Sequence, residues 1–315
     1  MDIQGLQKLT LLDWPGRVAC TIFLGGCDFR CPFCHNRDLV TGPLPAAMDS
    51  GELLAFLAKR KGLLDGVCVT GGEPLLRPGL EGLLEEIKAL GFPIKLDTNG
   101  SHPQLLARLW SLGLVDYAAM DIKNSPERYG ETAGVPGLDL GPIRESVSWL
   151  LEGHVDYEFR TTVVRQFHDS ASFRAIGPWI SGARRYFLQA FIDRDTVLRP
   201  GLSAWSREEM EGFAALSAPG SRQWSCGASE YPPSAFLANF YGRALPSHGA
   251  RECSFSKKIA GFCPRFFPKH VPALPAFCFR KTKYCVSAGI LHKILTSHFL
   301  HGIVGAVAAA KPPRD

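Results

Sequence analysis

Three cysteines, Cys27, Cys31 and Cys34, sit inside the run Gly25-Gly26-Cys27-Asp28-Phe29-Arg30-Cys31-Pro32-Phe33-Cys34-His35-Asn36. Thiolates at C-x3-C-x2-C spacing suit a soft metal or an iron–sulfur cluster. Four cysteines would saturate a [4Fe–4S] cluster, and no fourth stands nearby. Three leave one iron with a free coordination position, which a cluster needs in order to bind a substrate or cofactor directly. The leading glycines let the backbone wrap closely around a bulky group, and Phe33 is placed to pack against a planar ring. The rival assignment is a Cys3His zinc site that recruits His35. Adjacent Cys34 and His35 make awkward ligands for one tetrahedral ion.

Four more polar clusters follow along the chain: Thr70-Gly71-Gly72-Glu73-Pro74, Leu96-Asp97-Thr98-Asn99-Gly100, Met120-Asp121-Ile122-Lys123 and Arg160-Thr161-Thr162. Each closes an apolar run. A turn before Gly100 would by itself account for Asp97 and Asn99, and a strand-to-helix turn for the two glycines. Arg160, inside an apolar strand, reads as a site or ion-pair residue rather than a packing residue. Cys20 and Cys68 lie within strands and read as small buried hydrophobes.

The elements that must position these clusters are legible from periodicity. Strands are expected at Val18–Leu24, Val67–Thr70, Ile94–Asp97, Val115–Asp121, Tyr157–Val164 and Arg185–Phe191. Leu80, Leu83, Leu84 and Ile87 follow helical spacing before Gly91; Leu105, Leu106 and Leu109 do so before Gly113, and Ile143, Val147, Leu150 and Leu151 before Gly153. Ser206 with Glu209 forms a capping box ahead of Met210, Phe213 and Leu216. Six β-then-α units predict an α/β fold with a parallel sheet, curled into a partial (β/α)6 TIM-like barrel. In such a barrel, chemistry collects at the C-terminal strand ends, where all five polar clusters fall.

At 315 residues with 10 cysteines the chain is too cysteine-poor for a disulfide scaffold. Its opening residues carry no signal-peptide pattern, so reduced thiols and a cytoplasmic setting are expected. Charge divides it: residues 1–230 hold 23 Lys/Arg against 28 Asp/Glu, and residues 231–315 hold 12 against 2. A boundary is therefore expected near residue 230, followed by a basic, Cys- and Pro-containing, poorly ordered tail. Its cysteines, Cys253, Cys263, Cys278 and Cys285, match neither ferredoxin nor zinc-ribbon spacing. The apolar stretch 289–310 is interrupted by His292, Lys293, His298 and His301 and makes a poor membrane span. The tail reads as an added cluster domain, an interaction arm or read-through sequence.

The cysteine run followed by Gly71-Gly72-Glu73-Pro74 resembles the radical S-adenosylmethionine (SAM) superfamily. Asp13-Trp14-Pro15-Gly16, Cys34-His35-Asn36, Leu96–Gly100 and Met120–Lys123 resemble its glycyl-radical-activating branch, above all the activating proteins of anaerobic ribonucleoside-triphosphate reductase. The resemblance covers residues 1–200 and fades by 230. It implies that Cys27, Cys31 and Cys34 hold a [4Fe–4S] cluster whose fourth iron is chelated by SAM. Gly71, Gly72 and Glu73 would then meet the SAM amino group, and Lys123 its carboxylate. Asp97 and Asp121 would provide a cation site and ribose contacts, with Phe33, Asn99 and Arg160 beside them. The implied partners are a glycyl radical enzyme and a reduced flavodoxin- or ferredoxin-type donor; neither a membrane nor a nucleic acid is expected. A radical SAM enzyme acting on a small molecule is the alternative within the superfamily. A zinc-stabilised module that binds nucleic acid through the basic tail is the alternative outside it.

Overall fold

In the computed structural model, the described residues are 1–217 and the backbone of 224–227. The chain runs β1 (Asp2–Ile3), β2 (Gly5–Thr10), β3 (Ala19–Leu24), α1 (Arg37–Thr41), β4 (Met48–Asp49), α2 (Ser50–Ala58), β5 (Gly66–Gly71), α3 (Leu80–Ala89) and β6 (Ile94–Thr98). It continues through α4 (Pro103–Ser111), β7 (Tyr117–Asp121), α5 (Tyr129–Ala133), α6 (Gly141–Leu151), β8 (Asp156–Val163), α7 (Ser170–Trp179), β9 (Tyr186–Ala190), α8 (Arg207–Leu216) and β10 (Trp224–Gly227). The expectations about the tail cysteines and residues 231–315 lie outside the described residues.

One sheet carries the order β10-β9-β8-β7-β6-β5-β3-β2. The pair β2–β3 is antiparallel and every other neighbour pair is parallel. β2 and β10 are its two edges, so the α/β fold is a partial TIM-like barrel, as the sequence predicts. The parallel run is one strand longer than the six expected, because Trp224–Gly227 adds β10 beside β9.

The strands obey a period of two that separates two kinds of face. Ile94 and Leu96 on β6, Ala118 and Met120 on β7, and Val67 and Val69 on β5 belong to the apolar core. The helices cover that face: Leu80, Leu83, Leu84 and Ile87 of α3, Leu106 and Leu109 of α4, and Ile143, Val147 and Leu150 of α6 are all buried. The alternate positions are largely polar: Cys68 and Thr70, Lys95 and Asp97, Tyr117 and Asp121, Glu158, Arg160 and Thr162. Cross-strand register sets Cys68 beside Lys95, Lys95 beside Tyr117, and Asp121 beside Arg160. Cys20 and Cys68 are fully buried, as expected of small hydrophobes.

Candidate active site

The loop between β3 and α1 carries the three cysteines, and it is braced on three sides. On the first, the loop after β5 is zipped to it: Glu73 N donates to Gly26 O (2.8 Å) and Asn36 Nδ2 to Gly71 O (2.9 Å). A Cβ at Gly72 would collide with the Gly26 carbonyl and meet Cys27 Cβ at 3.2 Å, so only glycine permits this approach. On the second, Arg30 N donates to Ala133 O at the end of α5 (2.9 Å). Gly134 follows there at φ +69°, where a Cβ would collide with the Arg30 carbonyl. On the third, a strap after β9 runs alongside: Leu198 N donates to Cys34 O (3.0 Å) and Arg199 N to Pro32 O (2.8 Å). His35 joins this side. Its Nε2 donates to Ile192 O (2.7 Å) and its ring stacks on Phe191.

A cavity of about 220 Å³ opens over this loop at the C-terminal ends of the strands. Cys27, Cys31, Cys34, Phe33, Gly71, Gly72, Asp97, Asn99, Asp121, Lys123 and Arg160 all line it. Of the residues singled out in the sequence, Glu73 is the exception. Its carboxylate is fully buried and accepts from Leu75 N (3.1 Å), Thr98 Oγ1 (3.0 Å) and Asn99 N (2.7 Å). Burial pushes it up to about 8, against those donors. Glu73 thus ties the Gly71–Gly72 loop to the end of β6. Asn99 in turn donates from Nδ2 to Asp28 Oδ1 (2.7 Å), reaching back to the cysteine loop.

The floor of the cavity is a chain of alternating charges. Lys95 pairs with Asp97, and Arg160 Nη1 bonds Asp97 Oδ2 (3.2 Å). Arg160 Nε bonds Asp121 Oδ1 (3.0 Å), and Lys123 Nζ bonds Asp121 Oδ2 (3.0 Å). Burial would raise the Asp121 carboxyl, but Arg160 and Lys123 hold it down at about 2. Burial likewise opposes the Lys123 charge, and Asp121 outweighs it, lifting the ammonium above the usual lysine range. The target of Arg160 is therefore this pair of carboxylates. The guanidinium of Arg160 thus stands between Asp97 and Asp121. Of this chain of charges, Lys123 and Arg160 line the cavity together with the two carboxylates.

Burial pushes the Cys27 thiol up to about 12 and Cys31 to about 11, and raises Cys34 as well. Such thiols become thiolates when a metal displaces the proton. Three of them on one cavity, with a backbone cradle that a Cβ at Gly72 would fill, fit a cluster held by three protein ligands. The Nε2 of His35 donates to Ile192 O, so only its Nδ1 could serve the zinc site considered above. Among the described residues, no three His, Cys, Asp or Glu side chains group around a single metal-ion position. Phe33 is buried and packs on Phe167 and against the edge of His168.

Sequence reasoning missed His168 and the strap of residues 192–199, and gave Asn36 no role beyond its place in the Cys34-His35-Asn36 motif. Their partners are main-chain atoms distant in the chain, so residue type and spacing carry little signal for them.

Residues 21–170 match the model of the radical SAM superfamily. A Methanocaldococcus jannaschii protein named "putative glycyl-radical enzyme activating enzyme" is 29% identical over 200 residues, covering 61% of this chain and 81% of that one. A Hyperthermus butylicus 7-carboxy-7-deazaguanine synthase is 34% identical over 144 residues, covering 45% of this chain and 54% of the synthase. The structure of Streptococcus suis SuiB bound to S-adenosylmethionine shares the fold at TM-score 0.50 and 12% identity, covering 66% of this chain and 52% of that one. The superfamily implies a [4Fe–4S] cluster and SAM as cofactors. Among the described residues, no helix is long and apolar enough to cross a membrane.

Proposed function

We propose that residues 1–230 form a radical SAM activase that reductively cleaves SAM and generates a glycyl radical on a partner enzyme. The observation that carries this reading is the convergence of Cys27, Cys31 and Cys34 with Gly71, Gly72 and Lys123 on one cavity. When bound, the cluster supplies the electron that cleaves the SAM sulfonium to methionine and a 5′-deoxyadenosyl radical. The chain's own residues bind, orient and shield. Lys123 and Arg160 are the cations on the cavity that would receive the SAM carboxylate. Asp97 and Asp121 hold those two cations in place. The Gly71–Gly72 backbone gives the amino group close approach, and Phe33 walls the cavity.

The glycyl radical reading draws on the M. jannaschii relative, of which this chain spans most of the length. The motifs resembling the activating proteins of anaerobic ribonucleoside-triphosphate reductase favour that reductase as partner, with a reduced flavodoxin- or ferredoxin-type electron donor. Identity to the deazaguanine synthase supports a second reading, chemistry on a small molecule, although only about half of that enzyme's length is matched. Electron paramagnetic resonance separates the two. Reduced, reconstituted protein mixed with SAM and an anaerobic ribonucleotide reductase should produce a doublet on the reductase, absent when its radical-bearing glycine is replaced by alanine. If SAM is consumed, no partner radical forms, and a purine-like precursor is transformed instead, the second reading replaces the first.

A further inference from the structure

His168 lies outside the cavity lining, yet it touches both halves of the site. It is 1% exposed and sits in the loop between β8 and α7. Its Nδ1 faces Val164 N at 3.1 Å, and its Nε2 faces Lys123 O at 2.8 Å. An amide nitrogen can only donate, so Nδ1 is the acceptor. Nε2 then carries the proton and donates to the Lys123 carbonyl. The ring meets Phe33 edge-on at 6.3 Å and lies against Phe173 at 6.1 Å. Phe33 is the residue before Cys34, and Lys123 bears the ammonium paired with Asp121. One imidazole thus connects the segment bearing that ammonium to the loop bearing the thiols.

Neighbouring bonds grip the same segment, but none joins the Lys123 carbonyl itself to a ring on Phe33. Tyr129 Oη donates to Asp121 O (3.2 Å), and Asn124 Nδ2 to Phe167 O (2.8 Å). The first does not reach Phe33; the second reaches it only through the main chain of Phe167, whose ring packs on Phe33 at 6.0 Å. Trp205 Nε1 donates to His168 O (3.1 Å), which anchors the histidine's own main chain.

We propose that His168 is a positioning residue that fixes the Lys123 ammonium relative to the cysteine loop, through its bond to the Lys123 carbonyl and its packing on Phe33. Its bearing on SAM rests on the radical SAM reading above; its bearing on Lys123 does not. The two ring nitrogens can be replaced separately. Asparagine at 168 keeps an acceptor where Nδ1 lies, retaining the Val164 bond and losing Lys123. Glutamine keeps a donor where Nε2 lies, retaining Lys123 and losing Val164.

The test compares wild type, His168→Asn and His168→Gln as full-length, reconstituted protein. The first readout is the rate at which an amine-reactive acylating reagent labels Lys123, resolved by mass spectrometry with exposed Lys59 as internal reference. Labelling should be about five- to tenfold faster in His168→Asn and within about twofold of wild type in His168→Gln, the span expected when a hydrogen bond is lost or kept. SAM affinity by calorimetry should fall in the same order, about tenfold for Asn and less than about threefold for Gln. Thermal midpoints report the purely structural cost. Equal labelling in all three proteins, or labelling that tracks the thermal midpoints instead of the retained nitrogen, would overturn the proposal. Failure of wild type to bind SAM would sink the radical SAM reading while the labelling arm still decides the role of His168.

Discussion

Arg160 and Asp97 are joined across a strand that belongs to neither. Arg160 lies on β8 and Asp97 on β6, with β7 between them, yet Arg160 Nη1 stands 3.2 Å from Asp97 Oδ2. The β7 residue in register with Asp97 is Ala119, whose methyl group leaves the guanidinium room to cross. Breaking a largely buried ion network by removing one member strands the partners' charges.

The crossing can be blocked without touching a charge. Ala119→Leu should push Arg160 off Asp97 and destabilise the protein by about 2–4 kcal/mol, combining overpacking with a partly orphaned carboxylate. Ala119→Gly should leave the bridge intact and cost about 1 kcal/mol, the ordinary glycine penalty within a regular element. Denaturant unfolding of both variants checks this. Equal losses would mean that Ala119 does not gate the bridge.

Gly72→Ala should damage the cysteine loop itself. The added methyl overlaps the Gly26 carbonyl, which is main chain and cannot swing aside. A stability loss of about 1–3 kcal/mol is expected for such overpacking, and iron uptake should fall well below that of wild type. Gly82→Ala on α3, where an added Cβ meets nothing within 4 Å, is the control and should load iron normally. Normal iron content in Gly72→Ala would remove the cradle from the account.

Glu73 gives a pH dependence whose sign follows from its burial. Its folded carboxyl titrates at about 8, against 4.5 when exposed. Between those values the folded state holds a proton that the unfolded state has released, so stability falls as pH rises through the window. Cluster-free wild type should therefore lose about 2–4 kcal/mol relative to Glu73→Gln between pH 4.5 and 8, since each tenfold difference in proton affinity between the folded and unfolded carboxyl corresponds to about 1.4 kcal/mol. Parallel stability curves for the two proteins across that range would show that the carboxylate stays ionised, held by Leu75, Thr98 and Asn99.

Much of this molecule could be read before folding, and the gaps have physical causes. The six expected strands fall within two residues of β3, β5, β6, β7, β8 and β9, because buried parallel strands are continuous apolar runs. β2 escaped notice because Thr10 is its one buried residue, so no alternation marks it. α2 was readable: Asp49 and Glu52 form a capping box ahead of buried Leu53 and Leu57. The residues singled out for the site come together on one cavity because they lie towards the C-terminal ends of strands or in the loops that follow. Their pairings were not legible, since Arg160 meets Asp97 through sheet register, and the carboxylate of Glu73 turns inward to the end of β6. His168 had no signal at all, its decisive partner being a main-chain carbonyl on another strand's loop.

The central claim is that three thiols on one cavity hold the cluster that opens SAM. Anaerobic reconstitution of the full-length chain, followed by iron and sulfide analysis, tests it most directly. Wild type should hold about four irons and four sulfides per chain, and on reduction with SAM should release 5′-deoxyadenosine and methionine. The variant with Cys27, Cys31 and Cys34 all replaced by alanine should hold no cluster and release neither product. A full cluster retained in that triple variant would contradict the account and place the ligands elsewhere in the chain.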